Sequence, residues 1–192
     1  MAKLYFKYGA MGSSKSANAL MCKFNYEQKG FKVLLIKPSL DTRDNTNEET
    51  YVASRIGLKS KCYTFKQDAN LVDFFNQLNQ GDLYNVVIVD ESQFCTEKQV
   101  EELKTISLKF PVLCYGLKTN FKSYLFEGSK RLLEIADSIA EIKSVCKCGA
   151  KATMNAKLIN GKVVRDGKEI DIGGDEKYEA MCYNCWKKLA ED

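Results

Sequence analysis

The stretch "KLYFKYGAMGSSKSANALMCKFNYEQK", residues 3–29, decides the fold. Its first part, Lys3 to Gly9, is rich in aromatics, ends at glycine and predicts a strand. From Lys15 to about Lys29, the apolar residues Ala19, Leu20, Cys22, Phe24 and Tyr26 stand among good helix formers, and Gly30 supplies a stop. Between strand and helix lies "GAMGSSKS", Gly9 to Ser16. It follows the phosphate-loop pattern G-x-x-x-x-G-K-[ST], except that Ser14 stands where the second glycine belongs. In such a loop the backbone amides of Gly9, Ala10, Met11, Gly12, Ser13 and Ser14 turn inward around phosphates, with a helix N-terminus behind them. Lys15 then reaches the β- and γ-phosphates and Ser16 joins Mg²⁺. A glycine turn with no ligand accounts for the same letters, so the rest of the chain has to decide.

Outward from this stretch the pattern alternates. "FKVLLIKP" (Phe31 to Pro38) is a nearly continuous apolar run that suits a buried parallel strand. Residues 39–55 turn polar and predict a long loop. A helix is expected over Ala69 to Gly81, then a strand in "LYNVVIVDE", Leu83 to Glu91. Thr96 and Gln99 form a capping-box pattern before an amphipathic helix to about Lys109. A strand over Pro111 to Leu117, a helix over Gly128 to Asp137 and a strand over Ser138 to Cys146 complete the series. This alternation predicts an α/β domain of P-loop NTPase type, with a mostly parallel sheet and helices on both faces. After Cys146 the style changes to glycines and short alternating segments, which sets a boundary near 145. Residues 1–145 are then the nucleotide-binding domain, and 146–192 a small appended one.

The apolar strand before Asp90 supports the phosphate loop, because a carboxylate at a strand's carboxyl end can hold the Mg²⁺ shell beside it. Asp90 takes that role, and Glu91 is the candidate base. An acidic pair capping the next helix is the competing account, although Ser92, Thr96 or Asp90 alone would serve for capping. The chain has no histidine, so every Ser-His or Cys-His hydrolase is excluded. Of eight cysteines, four form the close pairs Cys146/Cys148 and Cys182/Cys185. In a reducing compartment such pairs suggest a structural tetrahedral metal site, with zinc the natural occupant, rather than disulfides. Redox or free-thiol pairs are the alternative. A net charge of +4 is too small to argue for a nucleic-acid partner. No window approaches the ~18 apolar residues of a membrane span, and "MAKLYFKYG" lacks a signal-peptide pattern, so a cytoplasmic protein with no membrane contact is expected.

Taken together, "YGAMGSSKS", "DTR" (Asp41 to Arg43), "SRIGL" (Ser54 to Leu58), "VDESQF", "CYGLKTNF", "LFEGSKRLL", "CKCG" and "IGGDEKYEAMCYNC" resemble the cytosolic type II thymidine kinases, and their bacterial branch in particular. The resemblance implies ATP-dependent 5′-phosphorylation of thymidine and deoxyuridine, in salvage for DNA synthesis. By it, Glu91 is the proton acceptor, Lys15, Ser16 and Asp90 serve ATP and Mg²⁺, and Arg43 stands near the transferring phosphate. Met11, Phe94, Leu117, Phe121 and Phe126 correspond to the thymidine pocket. A zinc-stapled lasso folds over the base, with Ile172 and Tyr178 among its contacts. It further implies a homotetramer inhibited by dTTP. Aromatics in these positions are also ordinary core. Ser14, Asn120, Lys157 and Tyr183 depart from the branch's usual residues, and Cys185 holds a position often taken by histidine. The Ser14 Cβ is expected to crowd the γ-phosphate and weaken ATP binding. A zinc-ribbon, nucleic-acid-dependent ATPase and a catalytically weakened paralogue are the rival readings.

Overall fold

The computed structural model describes residues 3–42, 49–81, 83–167 and 178–191. Its first elements are β1 (Leu4–Tyr8), α1 (Lys15–Glu27) and β2 (Val33–Pro38), as the opening stretch predicts. A hairpin of β3 (Tyr51–Ala53) and β4 (Lys59–Lys61) precedes β5 (Tyr63–Phe65). Then come α2 (Leu71–Leu78), β6 (Val86–Val89), a 3-10 turn (Ser92–Phe94), α3 (Glu97–Ile106), β7 (Val112–Gly116), α4 (Glu127–Ile135) and β8 (Ser138–Glu141). Strands pair in the order β5-β2-β6-β7-β1-β8, every pair parallel.

Strand alternation divides the core into two layers. Leu4, Phe6, Leu34, Ile36, Val87, Val89, Val112 and Cys114 face α2, α3 and α4, meeting Leu71, Phe75, Val100, Leu103 and Leu132. The intervening Val33, Leu35, Val86, Ile88, Leu113 and Tyr115 face Ala19 and Leu20 of α1 and Val52 of the hairpin. Both faces are therefore covered, which is why these strands read as continuous apolar runs. Each fully buried Val, Leu, Ile or Phe contributes about 1.5–3 kcal/mol. The capping box forms as expected: Gln99 N–H donates to Thr96 Oγ1 at 3.2 Å, and Thr96 N–H donates to Gln99 Oε1 at 3.1 Å.

The C-terminal segment holds a ribbon of β9 (Ser144–Val145) with β10 (Lys151–Ala152). Beside it lies a sheet ordered β12 (Lys162–Val164), β11 (Met154–Ile159), β13 (Tyr178–Met181), closed by α5 (Tyr183–Glu191). Cys146, Ala152, Ala156, Val163, Met181, Cys182 and Trp186 form its small core.

Three expectations change. Residues 39–55 are not wholly a loop, because Val52 is buried against α1 and carries the β3–β4 hairpin. Residues 138–146 are not one strand. Ile142 N–H makes the last bond to the sheet, at Tyr8 O (2.7 Å), and the chain then leaves to begin the ribbon. The helix α5 stands in a region expected to hold glycines and short alternating segments. It forms because Trp186 and Ala190 bury one side of it in the small core.

Candidate functional site

The phosphate loop lies at the carboxyl end of β1, and Asp90 and Leu117 lie at the same end of β6 and β7, where open α/β sheets bind ligands. Gly9 N–H donates to Gly116 O at 3.2 Å, anchoring the loop to β7. A Cβ on Gly9 would lie 2.5 Å from the Ile142 carbonyl, so the loop can begin here only with glycine. Lys15 is buried, and its ammonium donates to Ala10 O at 2.9 Å, across the hollow of its own loop.

A cleft of about 260 Å³ opens over this loop. Met11, Gly12, Ser14, Lys15, Ser16, Asp90, Glu91 and Leu117 line it, so these sequence-predicted residues meet in one place. Ala10 and Ser13 belong to the loop without lining the cleft; Ser13 is buried and its hydroxyl has no partner among the described residues. Arg43 and Ile172 lie outside the described residues. Phe94, Phe121, Phe126 and Tyr178 do not line the cleft. They form two edge-on pairs, Phe94–Phe126 at 5.7 Å and Phe121–Tyr178 at 6.3 Å between centroids. The Lys157 ammonium lies 5.3 Å from the Phe121 ring and 5.9 Å from that of Tyr178. Asn120 caps its own turn, accepting from the amides of Lys122 and Tyr124.

Asp90 is buried, and burial pushes its carboxyl up from 3.8 to about 7. The Glu91 charge pushes in the same direction, while the Ser16 hydroxyl and the Lys15 charge oppose it. A cation placed beside Ser16 and Asp90 would relieve this cost. Glu91 has a left-handed backbone, φ 52°, where a residue with a Cβ is strained. Gln93 Nε2 donates to Glu91 Oε2, and Gln93 Oε1 accepts from Leu117 N–H at 3.0 Å. The buried Gln93 thus holds the acid against the next strand.

Gln93, Asp41 and Arg55 carry no role from sequence reasoning, yet all bear on this site. Arg55 Nη1 lies 3.7 Å from where a Cβ on Gly12 would stand, and its place inside "SRIGL" was the available signal. Asp41 forms a buried pair with Lys37 at 3.0 Å, and the "DTR" motif pointed to it.

Ser14 has φ 63°, also left-handed. Its side chain makes no capping bond. A residue bearing a Cβ is strained in this conformation by about 1 kcal/mol. Ser14→Gly is expected to raise the melting temperature by roughly 2 °C or less, since glycine's freedom in the unfolded chain offsets part of the relief. A lower melting temperature in a calorimetric scan would mean that the serine makes a contact outweighing the strain.

The sulfur atoms of Cys146, Cys148, Cys182 and Cys185 all lie within 4.8 Å of one another, and those of Cys148 and Cys182 are 3.6 Å apart. Four sulfurs around a tetrahedral ion at about 2.3 Å would stand roughly 3.8 Å apart, so the set fits a metal ion. Residues 2–186 match the family model described as thymidine kinase. The chain belongs to the thymidine kinase family. It is 45% identical to the thymidine kinase of Zymomonas mobilis over 95% of this chain and 94% of that one. It is 42% identical to that of phage T4, over 100% and 98% of the two chains. Against the thymidine kinase of Shewanella oneidensis it is 40% identical over the full length of both.

Proposed function

We propose that the protein transfers the γ-phosphoryl group of ATP to the 5′-hydroxyl of thymidine, and of deoxyuridine. The carrying observation is the placement of Glu91 beside Asp90 and Ser16 at the mouth of the phosphate loop. Glu91 accepts the 5′-hydroxyl proton as that oxygen bonds to the γ-phosphorus, and the bond to the bridging oxygen breaks, releasing ADP. Lys15 and the loop amides stabilise charge on the transferring group, with Arg55 within reach of the loop at Gly12. Mg²⁺ held by Ser16 and Asp90 would supply further charge neutralisation. Met11 and Leu117 bring apolar surface to the acceptor side of the cleft. Arg43 and Ile172 are assigned to the phosphate and base sides by resemblance.

Residues 1–145 act in this reading as the nucleotide-binding unit, and 146–192 as a zinc-bound cover over the base. Four thiolates and no histidine favour zinc in a closed, structural site. A homotetramer, inhibition by dTTP and a cytoplasmic location rest on the family resemblance. Among the described residues no helix is long and apolar enough to cross a membrane. Nothing favours the nucleic-acid-dependent ATPase: Lys147 and Lys151, beside the cysteines, pair with Glu179 and Glu141. Transfer of labelled γ-phosphate from Mg·ATP to thymidine tests the proposal. Thymidine binding without transfer would overturn it in favour of the weakened paralogue.

The single tryptophan reports on the metal site. Trp186 follows Cys185, is buried, and stacks on Tyr183 at 5.9 Å, with the Arg165 guanidinium 4.2 Å from its ring. Chelation is expected to free α5 and red-shift the tryptophan emission, with recovery on adding zinc. Emission unmoved by complete metal removal would show that the cysteine cluster does not hold this fold together.

A further inference from the structure

One side chain of β11 reaches from the C-terminal sheet to the phosphate loop. Asn155 is buried, 4% exposed. Its Oδ1 accepts from the Met11 amide at 2.8 Å, and its Nδ2 donates to the Thr119 carbonyl at 2.7 Å. Met11 belongs to the phosphate loop, and Thr119 follows Leu117 on the acceptor side of the cleft. Asn155 therefore ties together two loops that are far from it in sequence and that flank the proposed substrates.

The residue type suits the task. A primary amide carries one acceptor and two donors on a single planar end, whereas Asp accepts without donating and Ala does neither. Without Asn155 the Met11 N–H and the Thr119 carbonyl lose these partners beside a partly buried cleft. The strand register links this bond to the cysteines: Asn155 lies opposite Ala180, and Met154 lies opposite Met181, whose chain neighbour is Cys182. Thr153 N–H also donates to Met181 O at 3.0 Å. A one-residue slip between β11 and β13 would turn Asn155 away from both loops.

We infer that Asn155 is a positioning residue for phosphoryl transfer, holding the phosphate loop at Met11 against the acceptor-side loop at Thr119. The inference rests on the kinase reading for its catalytic consequence, though not for the bond itself. The test compares the metal-loaded natural protein with Asn155→Ala and Asn155→Asp. Amide hydrogen exchange at Met11 and steady-state transfer with varied Mg·ATP are read together. In Asn155→Ala, Met11 is expected to exchange about 10-fold faster or more. KM for ATP should rise and kcat fall, lowering kcat/KM on the order of 10- to 100-fold, because a displaced loop misplaces the phosphates. Metal content and Trp186 emission should not change. Asn155→Asp keeps the acceptor, so Met11 should stay protected and kcat/KM should lie between the other two. Unchanged Met11 exchange in Asn155→Ala would overturn the inference. So would equal losses in both variants accompanied by a Trp186 shift, which would mark a merely structural residue. If the natural protein transfers nothing to thymidine, the kinase reading falls, while the exchange measurement still decides whether Asn155 holds the loop.

Discussion

Glu91→Gln is expected to lower the rate of phosphate transfer by about 10²–10⁴-fold while thymidine affinity changes only a few-fold. Three features isolate the proton-accepting role. Glutamine keeps the length of the side chain and an oxygen that can still accept from Gln93 Nε2, so the geometry set by Gln93 and Leu117 survives. The left-handed backbone at this position is no harder for Gln than for Glu. What changes is the capacity to take up a proton, and among the described residues of the cleft only Asp90 and Asp41 are other acids. Asp41 is engaged with Lys37, and Asp90 is buried, where its charge is eased by Ser16 and Lys15. Rapid-quench measurement of a single turnover separates the chemical step from product release. Undiminished single-turnover transfer would assign proton removal elsewhere and leave Glu91 as a strained turn residue.

The parallel core is legible in the sequence because burial on both faces writes long apolar runs. Val86 to Val89 and Val33 to Ile36 leave little choice of partner environment. The phosphate loop and Asp90–Glu91 are legible because their chemistry demands particular residues at strand ends. The missing pieces fail for physical reasons. β3 and β4 hold together by six residues of backbone pairing, in which only Val52 is buried, so composition reads them as loop. The reach of Asn155 depends on a contact 144 residues away, for which no local pattern exists. The strain at Ser14 and Glu91 is likewise invisible in a motif, because it lies in φ and not in residue type. Ser14 illustrates the difference: the motif flags an unexpected letter, and the strain in the loop's own conformation shows only in the backbone.

Asp90→Asn is expected to lower transfer by at least about 10²-fold and, at the same time, to stabilise the metal-free protein. The second effect follows from burial. In the unfolded chain the carboxyl ionises near 3.8, whereas in the folded protein it holds its proton to about 7. Between those values the unfolded state has lost a proton that the folded state retains, so stability falls as pH rises and levels off above about 7. Asparagine carries no charge and escapes this loss. Its advantage should be absent below about pH 4, grow through the window and plateau above about pH 7, at no more than about 4 kcal/mol. Ser16 and Lys15 already offset part of the cost of the charge, and those interactions are weakened in the variant. Mg·ATP should reverse the order, stabilising the natural protein through binding that the variant has largely lost. Thermal melts at pH 5 and pH 8, with and without Mg·ATP, distinguish the outcomes. A variant less stable than the natural protein at pH 8 without metal would mean that Asp90 is held ionised by its neighbours, and that its burial costs the fold nothing. A gain that disappears only when Mg·ATP is added would identify Asp90 as a site where the fold gives up stability to keep a carboxylate ready for the cation.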